Sequence, residues 1–433
     1  MSIEKNDLVT GTIESIASGG EGILRLDSGL VVFVPFTAIG DQLSVRILNK
    51  KKRFARGVIH ELFSPGKDRV IPKCPLFTKC PGCQLQHLDY STQCKAKQQH
   101  VYDALKRIGK LSLQDPLPIR EAKAIWAYRR HIRLHFIKTK QSFEMGYYGW
   151  DNQSLLNVRT CPIFTSNEDK AIEEIRQALF CDKVENLKGS VKIFKVEEEK
   201  KSAHFVLEEK PSKGLKASLE QLLSTQTDWS SFLIESPDGE ETLGQHTHKI
   251  QVHSLDFNFS PRSFLQNHPE QSEQILHSLV DYTRSIKAKR VLDLYSGIGI
   301  SSILIAKDGI EVLGIEGNPT AVQLAKDNAR KHQCMGSRFK RADVARVIKQ
   351  ELRQFQPDLV IVNPPRTGLH DQVINSLIEV PVKHLVYISC MPSTLARDLH
   401  KLCEQVYHWD SGQCFDMFPH TQHVETFCIL SAK

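Results

Sequence analysis

The alternation of short apolar runs with helical stretches beyond residue 257 is the feature that most constrains the fold. Strands are predicted at residues 290–295, 311–316, 358–363, 384–389 and 424–430, and helices at 270–285, 300–307 and 319–332. Strands that alternate with helices in this way are typical of a doubly wound parallel sheet. Ligands of such sheets bind beyond the carboxyl ends of the strands, so the residues that follow these strands are the first candidates for a site.

The first predicted strand of this sheet ends in a glycine-rich loop. Gly297 and Gly299 follow it, and Glu316 ends the next strand, at about the interval at which an acid accepts ribose hydroxyls. A dinucleotide fingerprint would require a third glycine where Ser302 stands. The strand, loop, helix and acid instead resemble the cofactor site of methyltransferases that use S-adenosylmethionine (SAM). A tight turn beside a surface glutamate is the alternative.

The third predicted strand ends in the run Asn363-Pro364-Pro365-Arg366. Consecutive prolines remove backbone donors and fix an extended turn. Amino-group methyltransferases of adenine hold the exocyclic amine with Asn-Pro-Pro followed by an aromatic residue. Here arginine replaces the aromatic residue, so base stacking at that position is lost and a reaction at carbon is favoured.

Cys390 directly follows the predicted strand at 384–389 and is a candidate nucleophile. Carbon 5 of uracil is not nucleophilic by itself, but a thiolate that adds to carbon 6 generates an enolate. A base must then remove the proton at carbon 5 so that the thiolate can leave. Glu425, at the start of the last predicted strand, is the candidate base. The alternative for Cys390 is a buried structural thiol, the commoner fate of cysteine.

Three cysteines that are close in sequence, Cys74, Cys80 and Cys83, offer soft metal ligands within one loop. Tetrahedral zinc or a 4Fe-4S cluster needs a fourth ligand. Cys161 is the best candidate because a proline follows it, as one follows Cys74 and Cys80, and Cys94 in a predicted helix is the runner-up. The spacing does not separate zinc from iron–sulfur. The odd total of 11 cysteines argues against a disulfide framework.

Three domains are predicted along the chain. Residues 1–62 carry five short strands separated by glycine turns, which are typical of a small barrel of the oligonucleotide-binding type. Residues 63–262 form an α+β region, with helices at 93–110 (Ser91 as cap) and 166–179, and strands at 132–137, 191–196 and 205–208. Residues 263–433 contain the doubly wound sheet.

The composition is that of an ordinary soluble protein, with 433 residues, 40% hydrophobic and 25% charged. No apolar run is long enough to span a bilayer, and the amino terminus lacks the pattern of a secretory signal. We therefore expect a cytoplasmic monomer with no membrane partner. The net charge of +7 is compatible with a polyanion. Candidate phosphate contacts are the basic hairpin at 50–56 and Arg129, Arg130 and Arg133, with ordinary surface charge as the alternative.

Taken together, these motifs resemble the RNA 5-methyluridine (uracil-C5) methyltransferase family, in particular its 23S rRNA branch. The resemblance covers almost the whole chain. It rests on Ser263-Phe264-Leu265-Gln266-Asn267, which matches a Phe-x-Gln-x-Asn motif, on the strand that ends at Cys390, and on a final His-x-Glu motif that contains Glu425.

The resemblance implies a role for each candidate residue. Cys390 is the nucleophile and Glu425 is the base, and the amino-terminal barrel is a TRAM domain that binds RNA. A 4Fe-4S cluster, rather than zinc, is implied on Cys74, Cys80, Cys83 and Cys161. The implied SAM contacts are Gln266, Tyr295, Gly297, Gly299, Glu316, Asp343 and Asn363.

Three positions depart from the family pattern. Asn363 stands where the family usually has Asp, Asp343 where the ribosomal branch often has Asn, and Ile300 replaces a polar residue. The resemblance still implies SAM-dependent methylation of carbon 5 of a uridine in 23S rRNA, since the tRNA-directed branch usually lacks both the barrel and the cluster. The alternatives are a tRNA uridine-5 methyltransferase, an RNA amino-group methyltransferase and a non-catalytic RNA-binding protein.

Overall fold

The computed structural model describes residues 3–165, 169–181, 186–196 and 200–433. The amino-terminal strands are β1 (Leu8–Ile16), β2 (Gly22–Arg25), β3 (Val31–Val34), β4 (Gln42–Lys50) and β5 (Phe54–Ser64). They form a closed barrel in the order β1-β2-β3-β5-β4. Alternate side chains point inward, so that Leu24, Val32, Val34 and Val45 are fully buried. The five-stranded barrel predicted from the sequence is confirmed.

The first helix, α1 (Tyr90–Arg107), begins three residues before the predicted start. Asp89 is its cap, because Asp89 Oδ1 accepts a hydrogen bond from Thr92 N at 3.0 Å. The prediction of Ser91 as the cap was wrong, and Ser91 lies inside the helix. A carboxylate here satisfies a free backbone donor and lies at the positive end of the helix dipole.

A seven-stranded sheet with two helices packed on it occupies the middle of the chain. Its elements are β7 (His131–Lys138), β8 (Phe143–Tyr148), β9 (Leu155–Asn157), α2 (Asp169–Cys181), β10 (Leu187–Lys195), β11 (Lys201–Leu207), α3 (Lys213–Thr225), β12 (Trp229–Ser236) and β13 (Gly239–Gly244). The strand order is β13-β12-β11-β10-β7-β8-β9. The helix predicted at 166–179 is observed as α2, and its first three predicted residues lie outside the described residues. Ile172 and Leu215 are among the helix residues buried against the sheet.

A two-stranded unit and an eight-stranded sheet follow. Their elements, with one short strand from earlier in the chain, are β6 (Ile119–Arg120), β14 (His248–Val252), β15 (Leu255–Phe259), α4 (Pro269–Ser285), β16 (Arg290–Leu294), α5 (Ile300–Ala306), β17 (Glu311–Glu316), α6 (Pro319–Lys331), β18 (Ser337–Arg341), α7 (Val344–Phe355), β19 (Leu359–Val362), α8 (Asp371–Glu379), β20 (His384–Ser389), α9 (Pro392–Gln405), β21 (Tyr407–Phe415) and β22 (Glu425–Ala432). The large sheet has the order β18-β17-β16-β19-β20-β22-β21-β6.

The doubly wound arrangement is confirmed, with one difference from a fully parallel sheet. Strands β16 to β20 pair in parallel, whereas β22 runs antiparallel to both of its neighbours, β20 and β21. The beginning of β22 therefore lies beside the end of β20. The short strand β6 pairs in parallel with β21 at the edge of the sheet.

Helices cover both faces of this sheet. Leu279 of α4 and Ile303 of α5 belong to the core on one face, and Val101 of α1 and Ile348 of α7 belong to the core on the other. Helix α1 is thus part of this layer although it comes from much earlier in the chain. Within the described residues, none of the helices has both the length and the apolar character needed to cross a membrane.

A buried ion pair ties α1 to the segment that leads into β22. Lys97 Nζ lies 2.6 Å from Asp416 Oδ1 and donates to Phe418 O at 2.9 Å. Both charged side chains are almost fully buried. Gln93 Oε1 also accepts a hydrogen bond from His420 N at 2.8 Å. Because a buried charge without its partner is strongly unfavourable, these contacts fix the position of residues 416–420.

Candidate active site

The loop after β16 is shaped by its glycines and by one carboxylate. Gly297 and Gly299 have φ values of 56° and 83°, in the left-handed region that favours glycine. A Cβ on Gly299 would lie 2.8 Å from Cζ of Phe339, whereas a Cβ on Gly297 would meet no atom within 4 Å. Glu316 Oε2 accepts a hydrogen bond from Gly297 N at 3.1 Å. The loop therefore leaves open space over Gly297, with the Glu316 carboxylate beside it.

A cavity lies at the carboxyl edge of the sheet, between this loop and helix α4. Gln266, Tyr295, Gly297 and Asn363 line it together with apolar side chains. Residues from three separate parts of the sequence, all predicted to contact a cofactor, therefore meet in one space.

The other three predicted cofactor residues, Gly299, Glu316 and Asp343, do not line this cavity. Asp343 caps α7, and its Oδ1 accepts a backbone N–H at 2.9 Å. Its charge nevertheless acts on the cavity, because burial and then Asp343 raise the pKa of Tyr295 to about 12. Tyr295 therefore presents a neutral hydroxyl near pH 7.

Asp293 is a buried residue of the site that the sequence analysis missed. It lies in β16 and lines the cavity, and its Oδ2 accepts hydrogen bonds from the hydroxyls of Ser301 and Ser302, both at 2.6 Å. Burial raises the pKa of this carboxyl group. The Ser302 hydroxyl thus gives the Asp293 carboxylate a hydrogen-bond donor that a glycine at position 302 could not supply. The sequence signal that could have identified Asp293 is a single acidic residue within an apolar predicted strand.

Cys390 and Glu425 are brought together by the antiparallel pairing of β20 with β22. The register pairs Ser389 with Thr426, so the next residues along, Cys390 and Glu425, are neighbours. Glu425 is 2% exposed, and burial raises the pKa of its carboxyl group to about 8. Burial, and after it the charge of Glu425, also raises the pKa of the Cys390 thiol.

Arg366 acts on both of these groups through its charge, which was not foreseen from the sequence. Its charge lowers the pKa of the Cys390 thiol and of the Glu425 carboxyl, against the larger effect of burial. Burial and then Arg366 lower the pKa of His423 to about 4, so this imidazole is neutral at pH 7. Arg366 is therefore the cation that faces the thiol and the carboxyl.

The loop that carries Arg366 is fixed by side chains of helix α9. Thr394 Oγ1 donates to Arg366 O at 3.1 Å, and Arg397 Nη2 donates to Thr367 O at 3.0 Å. The backbone of the loop is therefore held at two successive carbonyls, which limits the positions that the guanidinium can reach.

The carboxylate of Asp398, which is completely buried, completes this anchor. It accepts hydrogen bonds from Leu369 N and from Tyr387 Oη, each at 2.8 Å, and from the guanidinium of Arg397. A Cβ on Gly368, which has φ 79°, would lie 2.5 Å from Asp398 Oδ2. Glycine is thus required where the loop passes the carboxylate.

The four cysteines predicted to bind a cluster line a second cavity. Cys74, Cys80, Cys83 and Cys161 all contribute to its wall, whereas Cys94 does not and lies buried in α1. No group of three or more His, Cys, Asp or Glu side chains in the described part of the chain has the arrangement that would hold a metal ion. The four predicted ligands therefore line one cavity, but their sulfur atoms do not surround a single metal position.

The basic residues predicted to contact phosphates have different surroundings. Arg129 lines the cysteine cavity and Arg130 lines the cavity above β16, while Arg133 is exposed. Residues 51–53, between β4 and β5, are also exposed. Arg133 and this hairpin are therefore accessible to a polyanion.

Comparisons with family models and with known protein sequences both identify RNA methyltransferases as similar to this chain. The family model described as "tRNA (Uracil-5-)-methyltransferase" matches residues 240–433, and the TRAM domain model matches residues 9–59. An uncharacterized RNA methyltransferase of Protochlamydia amoebophila (strain UWE25) is 40% identical over 427 residues, which cover 98% of this chain and 97% of that protein. An uncharacterized RNA methyltransferase of Bacillus cereus (strain ATCC 10987 / NRS 248) is 29% identical over 454 residues, covering 99% and 97%.

A solved structure is similar over nearly the whole length. It is the crystal structure of Pyrococcus abyssi tRNA (uracil-54, C5)-methyltransferase in complex with S-adenosyl-L-homocysteine. The TM-score is 0.77 at 26% identity, and the match covers 98% of this chain and all of the other. The likeness therefore includes the barrel and the middle region as well as the large sheet.

Arg366→Met is expected to slow alkylation of Cys390 by iodoacetamide several-fold near pH 8, because loss of the guanidinium raises the pKa of the thiol. Peptide mass spectrometry across a pH series measures the rate at this residue. Lys401→Gln is the matched control, since it removes only the exposed ion pair of α9 with Asp371. An unchanged pH profile for Arg366→Met would contradict the effect of Arg366 on the pKa of the thiol.

Proposed function

This chain belongs to the RNA uracil-5 methyltransferase family, and from that premise we propose that it methylates carbon 5 of a uridine in 23S rRNA, with SAM as the methyl donor and Cys390 as the nucleophile. Membership of the family makes the chain an RNA methyltransferase. The single observation that carries the proposed chemistry is the meeting of Cys390, Glu425 and Arg366 at the carboxyl edge of the sheet.

In the proposed reaction SAM supplies the methyl group. Residues of the chain activate the uracil ring and remove its proton. The Cys390 thiolate adds to carbon 6 of the uracil ring, forming a carbon–sulfur bond and leaving an enolate. Carbon 5 of the enolate then takes the methyl group, and S-adenosyl-L-homocysteine is the product that leaves. Glu425 removes the proton at carbon 5, and the electrons of that C–H bond restore the double bond as the thiolate departs. The positive charge of Arg366 stabilises the thiolate before the attack and after its release.

The environment of Glu425 supports its role as the base. A carboxyl group in water has a pKa of about 4.3 and is a weak base, whereas a general base is most effective with a pKa near the working pH. Burial raises the pKa of Glu425 to about 8. Because Cys390 is the neighbour of Glu425, a uracil ring attached to the Cys390 sulfur would have its carbon 5 proton within reach of the Glu425 carboxylate.

The cavity above β16 supports SAM as the cofactor. Gln266, Tyr295 and Asn363 supply polar groups to it, and the open space over Gly297 allows close approach of a ligand to the backbone. Glu316, beside this space, would accept hydrogen bonds from ribose hydroxyls. The similar enzyme of P. abyssi carries S-adenosyl-L-homocysteine, the product of methyl transfer.

Two RNA classes are candidate targets. The proposal of 23S rRNA rests on the resemblance to the ribosomal branch, in which the barrel and the four cysteines occur together. A tRNA target is the second candidate, and the P. abyssi enzyme favours it because a tRNA methyltransferase matches 98% of this chain, barrel included. That match weakens the expectation that tRNA-directed enzymes lack the barrel.

A 4Fe-4S cluster on Cys74, Cys80, Cys83 and Cys161 is also part of the proposal. It is supported by the cavity that all four thiols share and by the all-thiolate ligand set that such clusters use. A single zinc ion would require each sulfur at about 2.3 Å from one point. Because the methylation needs no electron transfer, the cluster would serve to hold the cysteine loop (residues 74–83) in place.

Glu425→Gln is expected to accumulate a covalent complex with RNA, because the addition and methyl-transfer steps remain while the proton at carbon 5 is not removed. Cys390→Ala should form no complex and should lose at least about a thousandfold in methyl transfer while it retains SAM affinity. Denaturing electrophoresis with labelled RNA measures the complex, and RNA that contains 5-fluorouridine should trap the unaltered enzyme.

Rapid turnover by Glu425→Gln would assign the proton removal to another group, and activity in Cys390→Ala would make Cys390 a structural thiol. Thr394→Ser, which retains the hydroxyl that bonds to Arg366 O, is the matched control on the same edge and should behave as the unaltered protein.

Protein purified without oxygen is expected to contain iron and sulfide in about equal amounts, with the broad absorption of thiolate-to-iron charge transfer. Cys83→Ser should lose most of the iron and some RNA affinity, while SAM affinity remains. Cys94→Ser is the control and should retain the iron. Stoichiometric zinc without iron would overturn the cluster assignment.

Deletion of the gene is expected to remove 5-methyluridine from one position of 23S rRNA and to leave tRNA unchanged. Mass spectrometry of nuclease digests from the two RNA pools makes the comparison, with restoration by the unaltered gene, but not by its Cys390→Ala form, as the control. A loss confined to tRNA would reject the ribosomal target and support the second candidate.

A further inference from the structure

A further cavity lies between the barrel and the side chains of Gln84 and Trp150, apart from the site described above. It has a volume of about 450 Å³, within the range of small-molecule sites, about 300–1,000 Å³. The turn between β1 and β2 forms one side, where Gly20 packs closely against Gln84. The residues that line the cavity include Gly19, Glu21, Pro35, Phe36, Gln84 and Trp150.

Two aromatic rings form walls of this cavity. The ring centroids of Phe36 and Trp150 are 6.0 Å apart and their planes meet at 69°. Trp150 is 53% exposed, yet its Nε1 donates to Thr78 O at 2.8 Å, which holds the indole in one orientation. A flat ring that enters the cavity can stack on one wall and meet the other at its edge, and both arrangements are favourable.

Two aromatic residues and one arginine lie along the barrel beside the cavity. Strands β3 and β5 are neighbours, with Phe33 opposite Arg56. Phe54 and Arg56 share a face of β5 with Val58, which lines the cavity, because alternate residues of a strand point the same way. The rings of Phe33 and Phe54 are 5.7 Å apart, and the Arg56 guanidinium lies 6.0 Å from the Phe54 ring. Exposed aromatic rings beside an arginine are typical of surfaces that bind single-stranded nucleic acid.

The charges at this cavity also suit a nucleotide. Arg56 is exposed and pairs with Glu21 at 3.3 Å. Exposed pairs contribute little to stability, so Arg56 can exchange this partner for a phosphate. The carboxylate of Glu21, on the cavity wall, is an acceptor for an amino group at the edge of a base. An apolar peptide would use the rings but not the cation, so RNA is the better match.

The cavity is connected to the active site through Gln84. Gln84 N donates to His420 O at 3.0 Å, and Gln84 Oε1 accepts from Gln422 N at 3.2 Å. The side-chain oxygen of Gln422 is buried without a hydrogen-bond partner and lies 3.7 Å from the point where a Cβ on Gly19 would stand. The segment that ends at Glu425 therefore contacts the wall of this cavity.

We propose that this cavity binds one unstacked nucleobase of the RNA substrate, other than the uridine that is methylated, while Arg56 contacts a neighbouring phosphate. The inference rests on the proposed function in taking RNA as the substrate. A base held here anchors the strand at the barrel, and the connection through Gln84 sets its position relative to Cys390. The cavity is thereby a positioning site that selects RNA in which a second base is free of its helix.

The test compares two fluorescein-labelled probes that have the same charge. One is an eight-nucleotide oligoadenylate, and the other is the matching oligomer without bases. Trp150→Leu in the full-length protein should weaken binding of the oligoadenylate by about 5- to 150-fold, the effect of losing one stacked base. Binding of the baseless oligomer should change by less than about twofold, because the phosphate contacts remain. Fluorescence anisotropy measures both affinities.

Trp150→Phe and Ile71→Ala serve as controls. Phenylalanine keeps an aromatic face and should restore most of the affinity for oligoadenylate. Ile71 is 94% exposed and does not line the cavity, so its removal should leave both probes unaffected. Thermal melting and SAM affinity of each variant report on folding. If Trp150→Leu binds oligoadenylate as tightly as the unaltered protein, the proposal is wrong.

Arg56→Gln separates the phosphate contact from the base contact. It should weaken both probes equally and reduce the slope of log affinity against log salt by about 0.7, the effect of one phosphate contact on a single strand. No change in that slope would remove Arg56 from the proposal.

Failure of this inference differs from failure of the proposed function. Methylation of a uridine by the unaltered enzyme together with unchanged oligoadenylate binding in Trp150→Leu would reject the cavity alone. If instead the unaltered enzyme methylates no uridine and Trp150→Leu still loses base-dependent binding, the proposed function would be rejected. The assignment of the cavity as a nucleobase site would then stand.

Discussion

The geometry of the site depends on the buried carboxylate of Asp398. It accepts hydrogen bonds from the loop after β19 through Leu369, from β20 through Tyr387, and from Arg397 on its own helix. Removing these donors would leave a carboxylate buried without partners, which is strongly unfavourable, so the three elements have one stable arrangement. The guanidinium of Arg366 and the thiol of Cys390 come from two of these elements, and the effect of the Arg366 charge on the thiol depends on that arrangement.

Much of the fold could be predicted from the sequence because its signals are local. The barrel and the doubly wound sheet both follow from the spacing of apolar residues. The direction of β22 could not be predicted in this way, because apolar spacing is the same in parallel and antiparallel strands. Strand β6 has two residues and therefore no periodicity. The start of α1 was misplaced because Asp89 and Ser91 are both good caps, and only the bond to Thr92 distinguishes them.

The residues of the candidate site, like the fold, could be predicted only where the sequence signal is local. Residues that directly follow a predicted strand, such as Gly297, Asn363 and Cys390, could be found because parallel strands end at one edge. The effect of Arg366 on Cys390 could not be found, since the spacing of apolar residues does not tell which way the side chains of a loop point. In the sequence Arg366 is notable only as the loss of an aromatic residue, whereas in the structure its charge lowers the pKa of the thiol.

The pairing of Lys97 with Asp416 has a consequence for the order in which the protein acquires its shape during synthesis. The two residues are 319 positions apart. At about 5–20 residues per second, a ribosome needs roughly 16–64 s to add the chain between them. During this interval the lysine of α1 has no buried carboxylate to meet, and the apolar face of that helix has no finished sheet beneath it. Helix α1 must therefore remain solvated, or be shielded by a chaperone, until the last strands of the sheet have been made.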